Sequence, residues 1–203
     1  MMTVTYKVRN AIYVNLTNRC PCACTFCLRQ NGPGIYGSGD LWLEREPTAA
    51  EVKESLEKWD WSAYKEVVFC GYGEPTERLD ELLAAAGYMK EKYPDVKVRV
   101  NTNGLGDLIW GRDITADLAG KVDVVSVSLN TDDPEEYLKT CRPKFGEAAY
   151  PAMKEFAKHA AARGIATVMT VVDEPVTTKA QQERCRRICG ELGAVFRVRP
   201  YEK

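Results

Sequence analysis

Three features that would point to particular functions are scarce in this chain: histidine, an excess of one charge, and long apolar runs. Among 203 residues there is one histidine, His159, and 28 lysines and arginines nearly balance 29 aspartates and glutamates. This balance gives no support for broad electrostatic capture of nucleic acid or of an anionic membrane. It leaves room for a local basic patch, and five arginines cluster near the C-terminus: Arg184, Arg186, Arg187, Arg197 and Arg199.

No stretch of the chain approaches the roughly 18 apolar residues that a bilayer-spanning helix needs. The first ten residues are polar and lack the apolar segment of a signal peptide. We therefore expect a cytoplasmic protein that has no membrane partner.

Cysteine, by contrast, is abundant, with eight residues. In a reducing compartment such thiols are more often ligands, reactive groups or small core residues than disulfides. Four of the eight lie between Cys20 and Cys27, and the others are Cys70, Cys141, Cys185 and Cys189. Cys185 and Cys189 continue an apolar stripe on the last predicted helix, which favours core packing. Cys141 is our candidate for a redox or hydrogen-donor thiol that is not a cluster ligand.

Apolar, β-branched runs alternate with amphipathic stretches along the whole chain. Six runs predict strands at residues 11–16, 66–70, 97–101, 124–129, 166–172 and 195–198. Capping boxes at Thr48 with Glu51 and at Thr178 with Gln181 predict helix starts between them. The alternation predicts an α/β fold with a parallel sheet and functional residues at the carboxyl ends of its strands. Periodicity alone fits both an open doubly wound sheet and a curved, incomplete barrel.

The loop after the first predicted strand has the spacing C-x3-C-x2-C, formed by Cys20, Cys24 and Cys27, with Cys22 inside the first gap. Three thiolates on one short loop can bind three corners of an iron–sulfur cubane and leave a fourth iron open to a small chelating molecule. Zinc is the main alternative. Structural zinc takes four ligands, so the fourth would have to be Cys22 or a distant residue. A purely structural loop is less favoured, because exposed thiols oxidise readily.

With Phe26 directly before its third cysteine, this loop resembles the signature of the radical S-adenosylmethionine (SAM) superfamily. The resemblance implies a 4Fe-4S cluster on Cys20, Cys24 and Cys27, with the fourth iron chelated by SAM. It also implies that Phe26 packs near the adenine of SAM and that Cys22 is not a ligand. The implied enzyme cleaves SAM reductively to a 5′-deoxyadenosyl radical that abstracts hydrogen from a substrate, in chemistry of the oxidoreductase or lyase type. The substrate is left open.

Segments after the later strands are similar to further elements of this family. Gly71-Tyr72-Gly73-Glu74 occupies the place of the Gly-Gly-Glu element that contacts the methionyl amino group of SAM, with Tyr72 replacing the usual second glycine. Thr102-Asn103-Gly104 resembles the turn after the third strand. The other positions that correspond to SAM contacts in the family are Ser126, Ser128, Asn130, Thr170 and Val198.

Because the resemblance extends from residue 11 to residue 198, it implies the superfamily's partial (β/α)6 barrel, of TIM-like type, rather than an open doubly wound sheet. We expect one domain over residues 1–203, with a cluster loop at 17–30 and a candidate lid at 31–47. The glycine-rich part of the candidate lid is equally compatible with a flexible connector. Tyr36 and Trp42 are candidates for substrate contact. Segments 13–20, 41–47 and 196–199 further resemble the TatD-associated radical SAM proteins.

The resemblance implies a reductant such as flavodoxin or ferredoxin as a partner. A small barrel without a covering domain favours a macromolecular substrate such as a protein or RNA, or a partner that closes the site. Three alternatives stay open: a glycyl-radical activase, a radical SAM enzyme of cofactor or nucleoside biosynthesis, and a zinc or iron–sulfur binding module without catalysis.

Overall fold

A seven-stranded sheet whose strand order follows the chain order forms the centre of the fold. The computed structural model describes residues 2–202. The strands are β1 (Thr5–Val8), β2 (Ala11–Val14), β3 (Glu66–Phe69), β4 (Lys97–Thr102), β5 (Val124–Ser128), β6 (Ala166–Val172) and β7 (Val195–Arg199). Strands β2 to β7 are parallel, and β1 pairs antiparallel with β2.

Helices connect the parallel strands. They are α1 (Ala49–Glu57), α2 (Leu79–Lys92), α3 (Gly106–Trp110), α4 (Thr115–Leu118), α5 (Pro134–Cys141), α6 (Ala149–Ala162) and α7 (Lys179–Glu191). Short 3-10 segments lie at Leu28–Gln30, Pro75–Arg78 and Gly146–Ala148. No helix within residues 2–202 has the length and apolar character required to cross a membrane.

The fold-class prediction is confirmed: the structure is a single-domain α/β fold with a parallel sheet. All six predicted strands are present, and their ends agree with the prediction to within two residues. Within the described part of the chain, β7 pairs with β6 and has no second strand partner, so the sheet is not closed.

Strand β1 was not predicted, because the first ten residues are polar as a group and show no apolar run. It is half of a hairpin in which Val8 pairs with Ala11, and Arg9 has a φ of 52° in the two-residue turn. Its buried side chains, Tyr6 and Val8, alternate with the exposed Lys7. This period of two was the signal for the strand, but four residues are too few for it to stand out.

The two faces of the sheet differ in chemistry. Residues such as Ile12, Val67, Val98 and Val125 are fully buried against the helices in one hydrophobic core. Because side chains alternate along a strand, the residues between them face the other way. We call this opposite side the inner face. It carries Cys70, Arg99, Asn101, Ser126, Ser128, Thr170, Arg197 and Arg199.

Helices α1 and α7 begin where the sequence predicts. Thr48 and Thr178 both form complete capping boxes, with Glu51 and Gln181 respectively, and these satisfy backbone N–H groups that the helix leaves free. Each helix returns the chain so that the next strand runs parallel to the last one. The loops at the carboxyl ends of the strands therefore lie together at one edge of the sheet.

Candidate functional site

The cysteine loop leaves the carboxyl end of β2 and is held against the end of α5. Backbone N–H groups of Ala23 and Thr25 donate to the carbonyl oxygens of Cys141 and Thr140, at 3.1 and 2.9 Å. Cys22 forms an isolated antiparallel bridge with Pro143. The shape of the loop is therefore fixed by a segment about 120 residues further along the chain.

The structure adds Cys141 to the four cysteines of the loop. Cys20, Cys24 and Cys27 are half-buried, whereas Cys22 and Cys141 are buried. A hydrogen bond from the Cys22 thiol lowers the pKa of Cys20, and hydrogen bonds from the Cys141 and Cys22 thiols lower the pKa of Cys24 to about 4. The pKa values of Cys22 and Cys141 are raised, because each donates to those sulfurs and is buried. Burial raises the pKa of Cys27.

Two classes of sulfur follow from these contacts. Cys20 and Cys24 favour the thiolate, which is the form that binds metal, and Cys22 and Cys141 act as thiol donors to them. Cys27 belongs to neither class, because burial raises its pKa and it has no such thiol donor.

The spacing of the sulfurs distinguishes a single ion from a cluster. No three cysteine sulfurs within residues 2–202 lie within 4.8 Å of one another. Four thiolates around one zinc ion, with Zn–S bonds of about 2.3 Å, would lie about 3.8 Å apart. A cubane, in which each iron takes its own thiolate, suits a wider set of sulfurs. The donor set thus fits a 4Fe-4S cluster better than it fits zinc.

Glu74 connects the loops that follow β3 and β4. Its buried Oε1 accepts hydrogen bonds from the hydroxyls of Thr76 and Thr102, at 2.8 and 2.7 Å, and from the Thr76 N–H at 3.1 Å. Its Oε2 accepts from the Asn103 N–H at 2.7 Å. Burial raises the pKa of Glu74, and these donors oppose that shift. Both carboxylate oxygens are therefore engaged by donors inside the protein.

The Glu74 network reaches the cysteine loop through Asn103. The side-chain Nδ2 of Asn103 lies 3.8 Å from the sulfurs of both Cys20 and Cys22. The backbone N–H of Glu74 also donates to the carbonyl of Arg19 at 2.8 Å. Three of the predicted elements, namely the cysteine loop, the glycine segment and the turn after β4, therefore meet.

Two glycines of the predicted segment allow this close approach. A Cβ atom on Gly73 would lie 2.3 Å from the Thr17 carbonyl oxygen, and one on Gly71 would lie 2.0 Å from Oδ1 of Asn15. Both distances are far below a van der Waals contact, so only glycine fits here.

Tyr72, which interrupts these glycines, packs against the candidate lid. Its hydroxyl donates to the Gly32 carbonyl at 2.6 Å, and its ring meets the Trp42 ring edge-on, at 5.1 Å between centroids. With Tyr6, Val8 and Leu41 it forms a small second core. The Tyr72 side chain thus fixes a neighbouring segment of the chain.

The candidate lid has two parts that differ in how they are held. Leu41 is fully buried, and its carbonyl accepts from Asn15 at 2.8 Å, while Asn18 bonds both backbone groups of Leu43. Residues 32–39 contain the glycines and the half-exposed Tyr36. The second part is therefore the more deeply buried of the two.

The other predicted SAM contacts lie on or beside the inner face, with one exception. Ser126 and Thr170 are buried there, Ser128 is half-buried, and Phe26 packs at the edge of the main core. The side chain of Val198 packs with the core on the helix side, so any ligand contact would have to come from its backbone. Asn130 has a φ of 64°, donates to the Cys141 sulfur at 3.3 Å and keeps a buried Oδ1 without a partner.

Glu46 is a site residue that the sequence analysis missed. Its carboxylate accepts from Thr17 at 2.6 Å, from Arg19 at 2.7 Å and from Arg78 at 3.0 Å. It ties the start of the cysteine loop to the end of the candidate lid. A single glutamate between Arg45 and Pro47 carries no spacing signal, so the sequence alone could not assign it this role.

Comparison with known proteins gives a consistent result. Residues 14–189 match the family model of the Radical SAM superfamily. The chain is similar to the probable dual-specificity RNA methyltransferase RlmN of Chlorobaculum tepidum, with 30% identity over 98 residues, which is 42% of this chain and 24% of the relative. It is also similar to the GTP 3′,8-cyclase of Corynebacterium glutamicum, with 27% identity over 143 residues, 67% of this chain and 35% of the relative. The chain therefore spans about a quarter to a third of the length of these relatives.

Solved structures share the fold. Streptococcus suis SuiB bound to S-adenosylmethionine superimposes with a TM-score of 0.70 at 17% identity, over 94% of this chain and 40% of that one. A radical SAM methyltransferase from Sphaerobacter thermophilus gives a TM-score of 0.63 at 17% identity, over 97% and 57%. At such identities the likeness establishes the fold alone. Because the family match covers most of its length, this chain belongs to the radical SAM superfamily.

Proposed function

We propose that this protein is a radical SAM enzyme that binds a 4Fe-4S cluster through Cys20, Cys24 and Cys27 and binds SAM beside it. The observation that carries the proposal is the convergence on Asn103. Its backbone is held by Glu74 at 2.7 Å, and its side chain lies 3.8 Å from the Cys20 sulfur. A cluster loop and a SAM-binding segment need such a connection to act on the same ligand.

The chemistry supplied by this pair of cofactors is reductive cleavage of SAM and hydrogen abstraction by the resulting 5′-deoxyadenosyl radical. The protein's own residues bind and orient. The donor thiols of Cys22 and Cys141 stabilise negative charge on the sulfurs beside them. The free Oδ1 of Asn130 and the hydroxyls of Ser126 and Ser128 offer polar groups for SAM on the inner face.

Two further proposals concern the electron donor and the subfamily. Three half-buried cluster cysteines favour electron delivery from a soluble donor such as flavodoxin or ferredoxin, because electrons must reach the cluster from outside. Placement among the TatD-associated proteins rests on segments 13–20, 41–47 and 196–199.

Anaerobic reconstitution with iron and sulfide tests the proposal. We expect about four irons per chain, a broad charge-transfer absorbance, and release of 5′-deoxyadenosine from SAM after reduction. Cys24→Ala should lose these properties. Cys22→Ala should keep the iron, and so should the control Cys185→Ala, which removes a thiol buried in the core beneath α7. Stoichiometric zinc in anaerobically purified protein, or SAM left intact by a fully loaded cluster, would overturn the proposal.

A further inference from the structure

The inner face of the sheet carries three arginines. Arg99 lies on β4 between Val98 and Val100, which are fully buried on the helix side. On β7, Phe196 and Val198 pack with the core on the helix side, so Arg197 and Arg199 project from the inner face.

These arginines have few partners of opposite charge. Nη2 of Arg99 pairs with Glu66 at 3.0 Å. Within residues 2–202, neither Arg197 nor Arg199 has a carboxylate within ion-pair distance. The Nε atoms of Arg99 and Arg199, and Oδ1 of the neighbouring Asn101, are buried without hydrogen-bond partners. Buried polar groups are otherwise nearly always paired, so these groups point to a ligand.

The three charges act on one another. The pKa of Arg197 is lowered by burial and then by the positive charges of Arg99 and Arg199. Arg197 is itself exposed to solvent, so an anion could reach the three guanidinium groups and would relieve their mutual repulsion.

We infer that Arg99, Arg197 and Arg199 form a receptor for an oxyanion group, phosphate or carboxylate, of the substrate. The planar guanidinium matches both groups through paired hydrogen bonds. The inference rests on the proposed function, because it takes the inner face to be the place where the substrate meets SAM.

The position of Arg99 on β4 separates it from the cysteine end of the sheet. Arg99 precedes Asn103, which lies beside the cluster cysteines, by four residues of nearly continuous strand. At about 3.3 Å per residue this is roughly 13 Å along β4. Arg197 lies nearer that end, because it pairs with Thr170, which in turn pairs with Ser128. Competition with SAM is therefore part of the test.

Binding of simple anions to the reconstituted, SAM-loaded protein tests the inference. Inorganic phosphate and succinate are titrated separately by calorimetry, and the stronger binder identifies the substrate's anionic group. We expect saturable binding of one anion per chain, weakened about tenfold or more by Arg197→Gln and by Arg199→Gln. Arg197→Lys, which keeps the charge but loses the planar fork, should be intermediate.

The matched control is Arg186→Gln. The Arg186 guanidinium stacks on Phe196, 4.8 Å from the ring centroid, so it lies on the opposite side of the same strand. This variant should bind phosphate as the wild type does. The melting temperature of anion-free Arg197→Gln should be unchanged or raised, because one of three repelling charges is removed, whereas a structural role predicts a lower one.

Two results would overturn the receptor: unchanged anion binding in both glutamine variants, or competition between phosphate and SAM, which would assign the arginines to SAM itself. The outcome is separable from the proposed function. Anion binding that depends on the arginines in a protein that leaves SAM intact would retain the receptor and reject the enzyme. SAM cleavage without anion binding would retain the enzyme and reject the receptor.

Discussion

Glu74 and Thr102, which lie 28 residues apart on adjacent segments, share a hydrogen bond of 2.7 Å inside the protein. The same carboxylate holds the backbone of Asn103, and Asn103 contacts the cysteine sulfurs. One buried charge therefore sets the position of three loops. A charge in such a place is tolerated because donors from Thr76, Thr102 and Asn103 surround both of its oxygens.

Replacing Glu74 with glutamine should disturb this arrangement. The new amide NH2 faces a donor, so at least one buried group loses its partner, at a cost of about 1–3 kcal/mol. We expect Glu74→Gln to lower the free energy of unfolding by about this amount and to weaken SAM binding, as measured by urea denaturation and equilibrium dialysis. Glu91→Gln, at an exposed position near the end of α2, is the control and should change neither quantity. Wild-type SAM affinity in Glu74→Gln would contradict the positioning role.

Gly73→Ala tests the close approach of the two loops. The added methyl would lie 2.3 Å from the Thr17 carbonyl and 2.6 Å from that of Arg19, and both are backbone atoms that cannot turn aside. We expect a loss of about 1–3 kcal/mol in stability and a lower iron content after reconstitution. Gly87→Ala on α2 has open space around its Cβ and should be neutral or stabilise by up to about 1 kcal/mol. Full iron loading in Gly73→Ala would show that the two loops move independently.

Removing the Tyr72 hydroxyl should release the first part of the candidate lid. Tyr72→Phe loses the 2.6 Å bond to Gly32 but keeps the ring contact with Trp42. A loss of about 1 kcal/mol corresponds to roughly fivefold more frequent local opening. Hydrogen exchange should therefore quicken across residues 32–39 and stay unchanged at 41–47. Tyr88→Phe, which loses a 2.7 Å bond to Glu57 elsewhere, should leave exchange at 32–39 as it is.

Much of the fold could be predicted because its signals are local. The capping boxes at Thr48 and Thr178 and the alternation of apolar runs with helices depend on residues close together in sequence. The closure of the sheet is different. Whether β7 finds a second partner depends on the curvature accumulated over seven strands, and no local pattern encodes it.

Some features of the site could likewise be predicted from the sequence, and others could not. The Cys20, Cys24 and Cys27 spacing is visible in the sequence, but the approach of Cys141 to Cys24 depends on how α5 ends against the loop. The inner-face arginines illustrate a further limit. Two of the five C-terminal arginines share the inner face with Arg99, while Arg184 pairs with Asp132 and Arg186 covers Phe196. Placement on helix α7 or on strand β7 separates these groups, and composition alone does not show it.

Acid should weaken the protein through Asp113, which joins α6 to the start of α4. Burial alone would raise the pKa of Asp113. Hydrogen bonds from Thr115 and Arg163, both 2.5 Å long, outweigh this effect of burial. They lower the pKa of Asp113 to about 2, from an ordinary value of 3.8. A carboxyl group whose folded pKa is depressed contributes stability above its unfolded pKa and loses it as pH falls to the folded value. The contribution should therefore be complete above about pH 5 and be lost progressively down to about pH 1.

Asp113 and Arg163 are both partly exposed, so we expect Asp113→Asn to cost about 1 kcal/mol or less at pH 7, measured by urea denaturation. The gap to the wild type should close progressively between about pH 5 and pH 1. In a double-mutant cycle with Arg163→Gln, the two losses should be less than additive at pH 7. A gap that did not shrink over that range, or strict additivity at pH 7, would show that the ion pair does not carry the effect.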